Sequence, residues 1–365
     1  MSITWAQALA WRMRRHLLDP VGSETVEGVV RRLGAVPSMD ESLAELAVRS
    51  RRTTSQPGEV ARALADGRLI KAFAFRGSMN YLSPEDGGAY LALRAAGRQW
   101  ELPSWQEYYR LTPADWPAFR KTVRESLSDG PLTIVELGAA LTSHRSYRHL
   151  RPVFDDGAVT LVKALTWQGD MGFGPPRDGR HTFQRLDDNP RWAGIPDLND
   201  AGRYAVEVYV GTYGPASHDH VQHWLGDGLS AGRKRIQAWI ADLGDRLVEV
   251  DVEGETLVVL REDVDDLRAT RPTSAVRLLP GHDQWVMGPG TKDVHVTPSS
   301  RRDLITRKAN PVIVGGVVSG TWTTKGNQVV VTWLDAGRRP LKALEREVQR
   351  LAALQDRPLR LSLDA

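Results

Sequence analysis

Three short stretches of this 365-residue chain hold side chains whose types and spacing could do chemistry. His218, His220 and His223 form a His-x-His-x-x-His run. On a helix, His220 and His223 share a face, and two imidazoles so spaced are compatible with zinc. Neither a carboxylate nor a third ligand is assured, so the simpler reading is surface histidines at a helix start. Thr166–Pro176 packs Trp167, Gln168 and Asp170 among three glycines. Such a turn could line a base pocket, Trp167 stacking and Gln168 reading a base edge. Glycine explains a tight backbone there, but not the Gln and the Asp. Pro280–Gly290 is a second polar, aromatic loop, in which His282 and Asp283 could orient a reacting group; an ordered surface loop is its simpler reading.

Composition removes other chemistries. There is no cysteine, so disulfides, thiolate zinc sites and thiol nucleophiles are excluded. No P-loop, dinucleotide fingerprint or Gly-x-Ser-x-Gly elbow is present. Neither metal nor cofactor is expected. The start lacks a basic and apolar leader pattern, and no apolar run approaches the roughly 18 residues a membrane span needs. The expectation is a cytoplasmic monomer of two or three domains.

Net charge is only +3, so an argument for nucleic acid must come from where the base is concentrated. Arg233-Lys234-Arg235 opens an expected helix. Arg145, Arg148 and Arg151, with His144 and His149, open another. Arg12, Arg14 and Arg15 lie on the first helix, and Arg31 and Arg32 end the second. Arg301, Arg302, Arg307 and Lys308 precede the last strands. Such patches supply the salt-dependent part of DNA affinity. Asp245–Arg268 runs the other way, with nine acids and three bases, and should face away from phosphate.

Two segments position these groups alike. Amphipathic helices at Pro113–Ser128 and Leu198–Thr212 each run into Gly-Pro, after which Thr133 or Ser217 offers an N-cap hydroxyl. Helical stretches at Tyr147–Leu165 and Ser230–Leu243 follow. Alternating strand pairs come next, Gly169–Phe173 with His181–Leu186 and Arg246–Val252 with Thr256–Arg261. Helix, turn, helix, helix, hairpin is the order of a winged helix. The N-terminal part fits a divergent third copy: a helix at Trp5–Leu17, a second capped by Ser23 and ending at Leu33, a third at Asp40–Arg52, and a hairpin of Arg68–Arg76 with Ser78–Leu82. After residue 272, Val276–Leu279, Val312–Val318, Gly320–Lys325 and Gln328–Leu334 read as strands, and Leu341–Leu354 as a terminal helix. The expected fold is α+β: winged-helix units at 1–110, 111–196 and 197–271 forming a concave channel, and a β-rich unit at 272–365.

Several segments carry a family likeness: Thr4–Arg12, Arg31-Arg-Leu-Gly-Ala-Val36, Glu45–Arg49, Arg76-Gly-Ser-Met-Asn80, Arg277-Leu-Leu-Pro280 with Asp283, and Val317–Trp322. In this order they resemble the AlkZ/YcaQ-like winged-helix DNA glycosylases, which excise alkylated bases and unhook interstrand crosslinks. The resemblance implies three tandem winged helices, a duplex DNA partner and a Gln-apolar-Gln or Gln-apolar-Asp signature after Val36. This chain has Pro37-Ser-Met39 there, and Asn80 where the family has His. The likeness implies that the missing side chains position water and stabilise charge at the sugar. Candidates for a relocated reaction are Gln168, Asp170, Asp40 and Asn80; Asp40 and Glu41 read more simply as first-turn acids of the next helix. Candidate DNA contacts are Arg233, Lys234, Arg235, Arg145, Arg148, Arg151 and Arg76. The readings left open are a glycosylase, a non-catalytic DNA-binding regulator or shield of damaged DNA, and a small-molecule protein on the same scaffold.

Overall fold

A computed structural model describes residues 2–337 and 339–364. The same run of elements occurs three times. In the middle copy, helix Trp116–Ser126 leads to the two-residue strand Leu132–Thr133. Thr133 then caps helix Ile134–Ser143 in a reciprocal box with Glu136. Helix Val159–Trp167 feeds a hairpin of Met171–Arg177 and Arg180–Arg185, whose outer strand pairs back onto Leu132–Thr133. In the next copy, Ser217 makes the equivalent box with His220, and helix Arg233–Asp242 feeds the hairpin Leu247–Val252 with Glu255–Leu260. Ala216 bridges to Val258 as Thr133 does to Thr182.

The first copy is offset from the expected one. Thr25, not Ser23, caps the helix, which spans Val26–Leu33. Strand Val36–Pro37, helix Glu41–Arg49 and helix Glu59–Ala65 follow, then the hairpin Ile70–Phe73 with Met79–Leu82. The helix at Glu59–Ala65 was not anticipated, because a Gly58 start without a side-chain cap gives no terminal signal. Trp5–Arg15 stands outside this copy. Leu9 and Met13 pack with Trp285, Ile313 and Val318, while Trp5 and Trp11 pack against Val250, Leu257 and Leu267.

The expected helix Tyr147–Leu165 is three pieces, a tight turn at Arg145–Leu150 and helices Arg151–Asp155 and Val159–Trp167. Gly157 and Ala158, both at positive φ, break it. The first two hairpins join in one six-stranded sheet through the pair Lys71–Phe173. Lys71 is buried there, with Nζ 2.8 Å from Glu41 and lying over the Tyr81 and Phe173 rings. The C-terminal part is a five-stranded sheet of Val276–Leu278, Asn310–Val314, Val317–Lys325, Gln328–Trp333 and Arg360–Leu363. Helix Leu341–Gln355 covers it with Leu344, Val348 and Leu351. Helix Gly87–Ala95 shares a core with Leu198–Tyr213, and Trp100 and Tyr109 join the core of the middle copy.

Candidate nucleic-acid interface

The backbone from Arg32 to Asp40 is held by side chains from remote parts of the chain. Thr212 Oγ1 donates to the Arg32 carbonyl and Tyr213 Oη to that of Leu33, each at 2.8 Å. Gln284 Nε2 donates to the Ala35 carbonyl at 2.8 Å. Gly34 turns the chain at φ 77°, and a Cβ there would lie 2.8 Å from Trp224 and from the Tyr90 hydroxyl. Only glycine suits that close approach. Val36 and Pro37 pair with Tyr81 and Asn80, and the Ser38 amide donates to the Met79 carbonyl at 2.9 Å.

The side chains on this backbone offer little to a reaction. Pro37 has no polar atom beyond its carbonyl. Ser38 is buried, its hydroxyl without a partner among the described residues. Met39 is 71% exposed. Asp40 caps the next helix: Oδ1 accepts from Ser42 Oγ at 2.7 Å and the Leu43 amide at 3.2 Å, and Oδ2 from Lys308 Nζ at 3.2 Å. The Ser42 hydrogen bond, then those of Leu43 and Lys308, hold its carboxyl below the ordinary range despite some burial. Asn80 is buried with its amide donated to the Ser78 carbonyl at 2.8 Å.

Beside this stretch, exposed cations from sequence-remote segments converge. Arg76 sits at the first hairpin's turn at φ 54°, with Nη2 2.7 Å from His223 Nε2. An arginine can only donate, so Nε2 accepts and the His223 proton lies on Nδ1, 3.6 Å from Asp227. Burial first, then the charges of Arg76 and Lys292, push His223 below its ordinary value, against the pull of Asp227. His282 is pushed down by burial, then by Lys308 and Arg76. Contacts join these groups: Lys308 pairs with Asp40, Arg76 meets His223, and Lys292 lines a cleft with His223, so the three cations form a strip beside the 32–40 backbone. Lys163 and Arg94 come within 4 Å of where a Cβ on Gly77 would lie, extending the strip onto the middle copy. A cleft of about 510 Å³ at the other end is lined by His220, His223, Lys292 and Arg233 together with Asp219, Asp227 and Asp293.

The structure thus places Arg233 on the cleft and Arg76 against His223 at its wall. Lys234 is exposed beside Arg233, and Arg235 donates to the Ala231 carbonyl at 3.2 Å. Arg145, Arg148 and Arg151 are exposed on the tight turn and short helix before Val159. They do not open the helix that leads to the hairpin, because that helix starts only after the Gly157–Ala158 break. Arg12, read as surface base, is fully buried, 3.4 Å from Asp293 and bonded to the Pro215 carbonyl. Arg14 pairs with Asp266 and Arg301 with Asp335.

Gln168 and Asp170 are spent internally. Asp170 is 1% exposed, with Oδ2 accepting from Arg120 Nε at 2.6 Å and Oδ1 from Arg124. Burial pushes its carboxyl up, while the two guanidiniums pull it down. Gln168 donates to the Ala164 carbonyl. Trp167 is buried under the Arg94 guanidinium, 4.0 Å from its ring, and is not open to a base. His218 is exposed and His220 is tied to the Ser217 amide. Among the described residues no cluster of three ligand-type side chains could hold a metal. Asp283 forms a buried two-pronged pair with Arg51, at 2.8 and 2.6 Å, and caps Gln284–Met287. Lys163, Arg94 and Lys292 were missed by sequence reasoning, since each is a lone cation outside any charge run.

Fold and interface together define a class of DNA-processing proteins: the chain belongs to the AlkZ-like DNA glycosylase family, whose model matches residues 30–354. It is 34% identical over 359 residues to an interstrand DNA cross-link repair glycosylase of Streptomyces sahachiroi, with 96% of each chain covered. The solved structure of Streptomyces sahachiroi DNA glycosylase AlkZ matches with a TM-score of 0.93 and 33% identity, over 100% of both chains.

Proposed function

We propose that this chain binds duplex DNA carrying bulky base damage and holds it without cleaving the glycosidic bond. In this reading the three helix–hairpin copies are winged helices lining a shared channel. The four parts are 1–110, 111–196, 197–271 and 272–365, and the protein acts as a cytoplasmic monomer. The cation strip of Lys308, Arg76 and Lys292, with Arg233 at the cleft, meets the phosphates.

One observation carries the second half of the proposal. On a backbone held from three sides, positions 37 and 39 present Pro and an exposed Met. Glycosidic hydrolysis needs a group that positions water and one that stabilises charge at the sugar. Neither side chain does either. Asp40 is depressed and triply hydrogen-bonded, a poor general base at neutral pH. Asn80 and Ser38 are buried.

The test is a duplex carrying N7-alkylguanine, incubated with the protein and then heated in alkali. We expect salt-sensitive binding and no strand breaks at abasic sites. Breaks above the protein-free rate, abolished in Asp40→Asn, would return the chemistry to this site and overturn the non-cleaving reading. A sequence-specific footprint on undamaged DNA would instead favour a regulator.

A further inference from the structure

We infer that Met39 is an apolar wedge that inserts at a weakened base step of the bound duplex and gives the protein its preference for distorted DNA. This rests on the duplex-binding reading above and adds to it a residue that senses damage.

Met39 is the most exposed of the large hydrophobic side chains that stand out on this surface, 71% against 67% for Val135 and 66% for Tyr108. An isolated exposed apolar residue needs no explanation, but the setting of this one does. Its backbone is fixed on both sides. The Ser38 amide is bonded to Met79, and Asp40 is bonded through its side chain to Leu43, Ser42 and Lys308. A wedge has to be mounted on such a rigid base, since a flexible loop would fold back before it parted two bases. The side chain itself is unbranched and polarizable, suited to sliding between aromatic faces.

The surrounding charge selects the occupant. Lys308 stands beside Asp40, and His282 lies within the fields of both Lys308 and Arg76. An apolar tip with Lys308 bonded to the neighbouring Asp40, and Arg76 on the adjoining hairpin turn, fits a polyanion with a stacked apolar interior, which describes duplex nucleic acid. Methionine is among the side chains that part base steps in this way. A step already weakened by a mismatch or bulky adduct opens most readily, so the wedge would discriminate damaged from intact duplex.

The experiment uses the full chain and two duplexes. One carries a single 2-aminopurine beside a mismatch, the other is fully paired. Binding is followed by anisotropy, and unstacking by 2-aminopurine emission. The wild type should raise the emission of the mismatched duplex several-fold and prefer it about tenfold. Met39→Ala should bind the paired duplex within about twofold of wild type, yet lose both the emission rise and the preference. Met39→Leu should keep them. Equal emission and preference in Met39→Ala would overturn the wedge while leaving duplex binding intact. Absence of saturable, salt-sensitive binding by the wild type would remove the duplex reading itself, and the wedge with it.

Discussion

Replacing Arg76 and Lys292 together by glutamine should halve the salt sensitivity of DNA binding. Of the permanent cations on the strip and cleft, four are exposed, Arg76, Lys292, Lys308 and Arg233, whereas Lys163 and Arg94 are half-buried and are not counted on to meet phosphate. If each neutralises one phosphate, the slope of log affinity against log salt is about −3.6. Between about 50 and about 200 mM salt, affinity then falls roughly 150-fold. With two cations removed the slope is about −1.8, and the same salt change costs roughly 12-fold. Glutamine is shorter but stays polar and flexible, and at position 76 it meets the same left-handed backbone as arginine, so at these exposed positions folding is little disturbed. Fluorescence anisotropy of a labelled duplex across a potassium chloride series gives the slope directly. Arg145→Gln with Arg148→Gln is the control, because neither residue lines the cleft. An unchanged slope in the Arg76/Lys292 variant, with a drop in the control, would refute the strip and put phosphate on the middle copy's turn.

Two further outcomes concern the scaffold. Asp283→Ala should destabilise by about 3–5 kcal/mol in urea titration, since it strands the fully buried Arg51 guanidinium; a change below about 1 kcal/mol would show that the pair does not anchor the loop. His16 is buried edge-on to Tyr213 and Trp285, with both nitrogens unpartnered among the described residues and Arg51, Arg12 and Arg32 near enough to repel its proton. Burial, then those charges, pushes it well below the ordinary 6.5, so the unfolded chain takes up a proton that the folded chain refuses, and stability falls as pH drops below about 6.5. His220, His223 and His282 are depressed too, so His16→Phe should not abolish the acid sensitivity but reduce it, by about 1 kcal/mol per pH unit between roughly pH 6.5 and 5.5, as read by denaturation midpoints. Parallel curves for the two proteins would mean His16 does not titrate in that window.

What could be read from the sequence was short-range. Thr133 and Ser217 cap helices as their positions before Glu136 and His220 require. The hairpin 247–260 and the Gly326 turn into 328–333 follow from alternating apolar residues and glycine turns, but the expected strand Val312–Val318 is broken at Gly315–Gly316, both at positive φ, and the next strand runs unbroken over 317–325. Charge could not be read the same way. Arg12 sits in a run of three arginines, but it is seven positions from Trp5 and one from Trp11, on the apolar stripe of its helix. The structure closes that stripe with Asp293, 281 residues away. The stripe was visible; its partner was not. The cation strip was legible only in part: Arg76, Arg233 and Lys308 stand among the basic residues visible in the sequence, Lys292, Lys163 and Arg94 are lone cations, and they meet only when the hairpin, the helical copies and the C-terminal loops are packed.

The same long-range packing explains how positions 37 and 39 can vary without disturbing the fold. The carbonyls of Arg32, Leu33 and Ala35 are held by Thr212, Tyr213 and Gln284, through backbone atoms and not through the side chains at 37 or 39. Val36–Pro37 is the edge strand of its sheet, with a partner on one side only. A proline there lacks an amide that no further strand requires, the position at which a sheet tolerates it best. Met39 projects outward and fills no core. Stability therefore constrains Met39 little, and in the proposed reading what occupies that position reflects what the bound DNA meets. In that reading the duplex meets an apolar tip at Met39 beside the Lys308–Asp40 pair, a surface suited to gripping a distorted base step and unsuited to delivering water to a sugar.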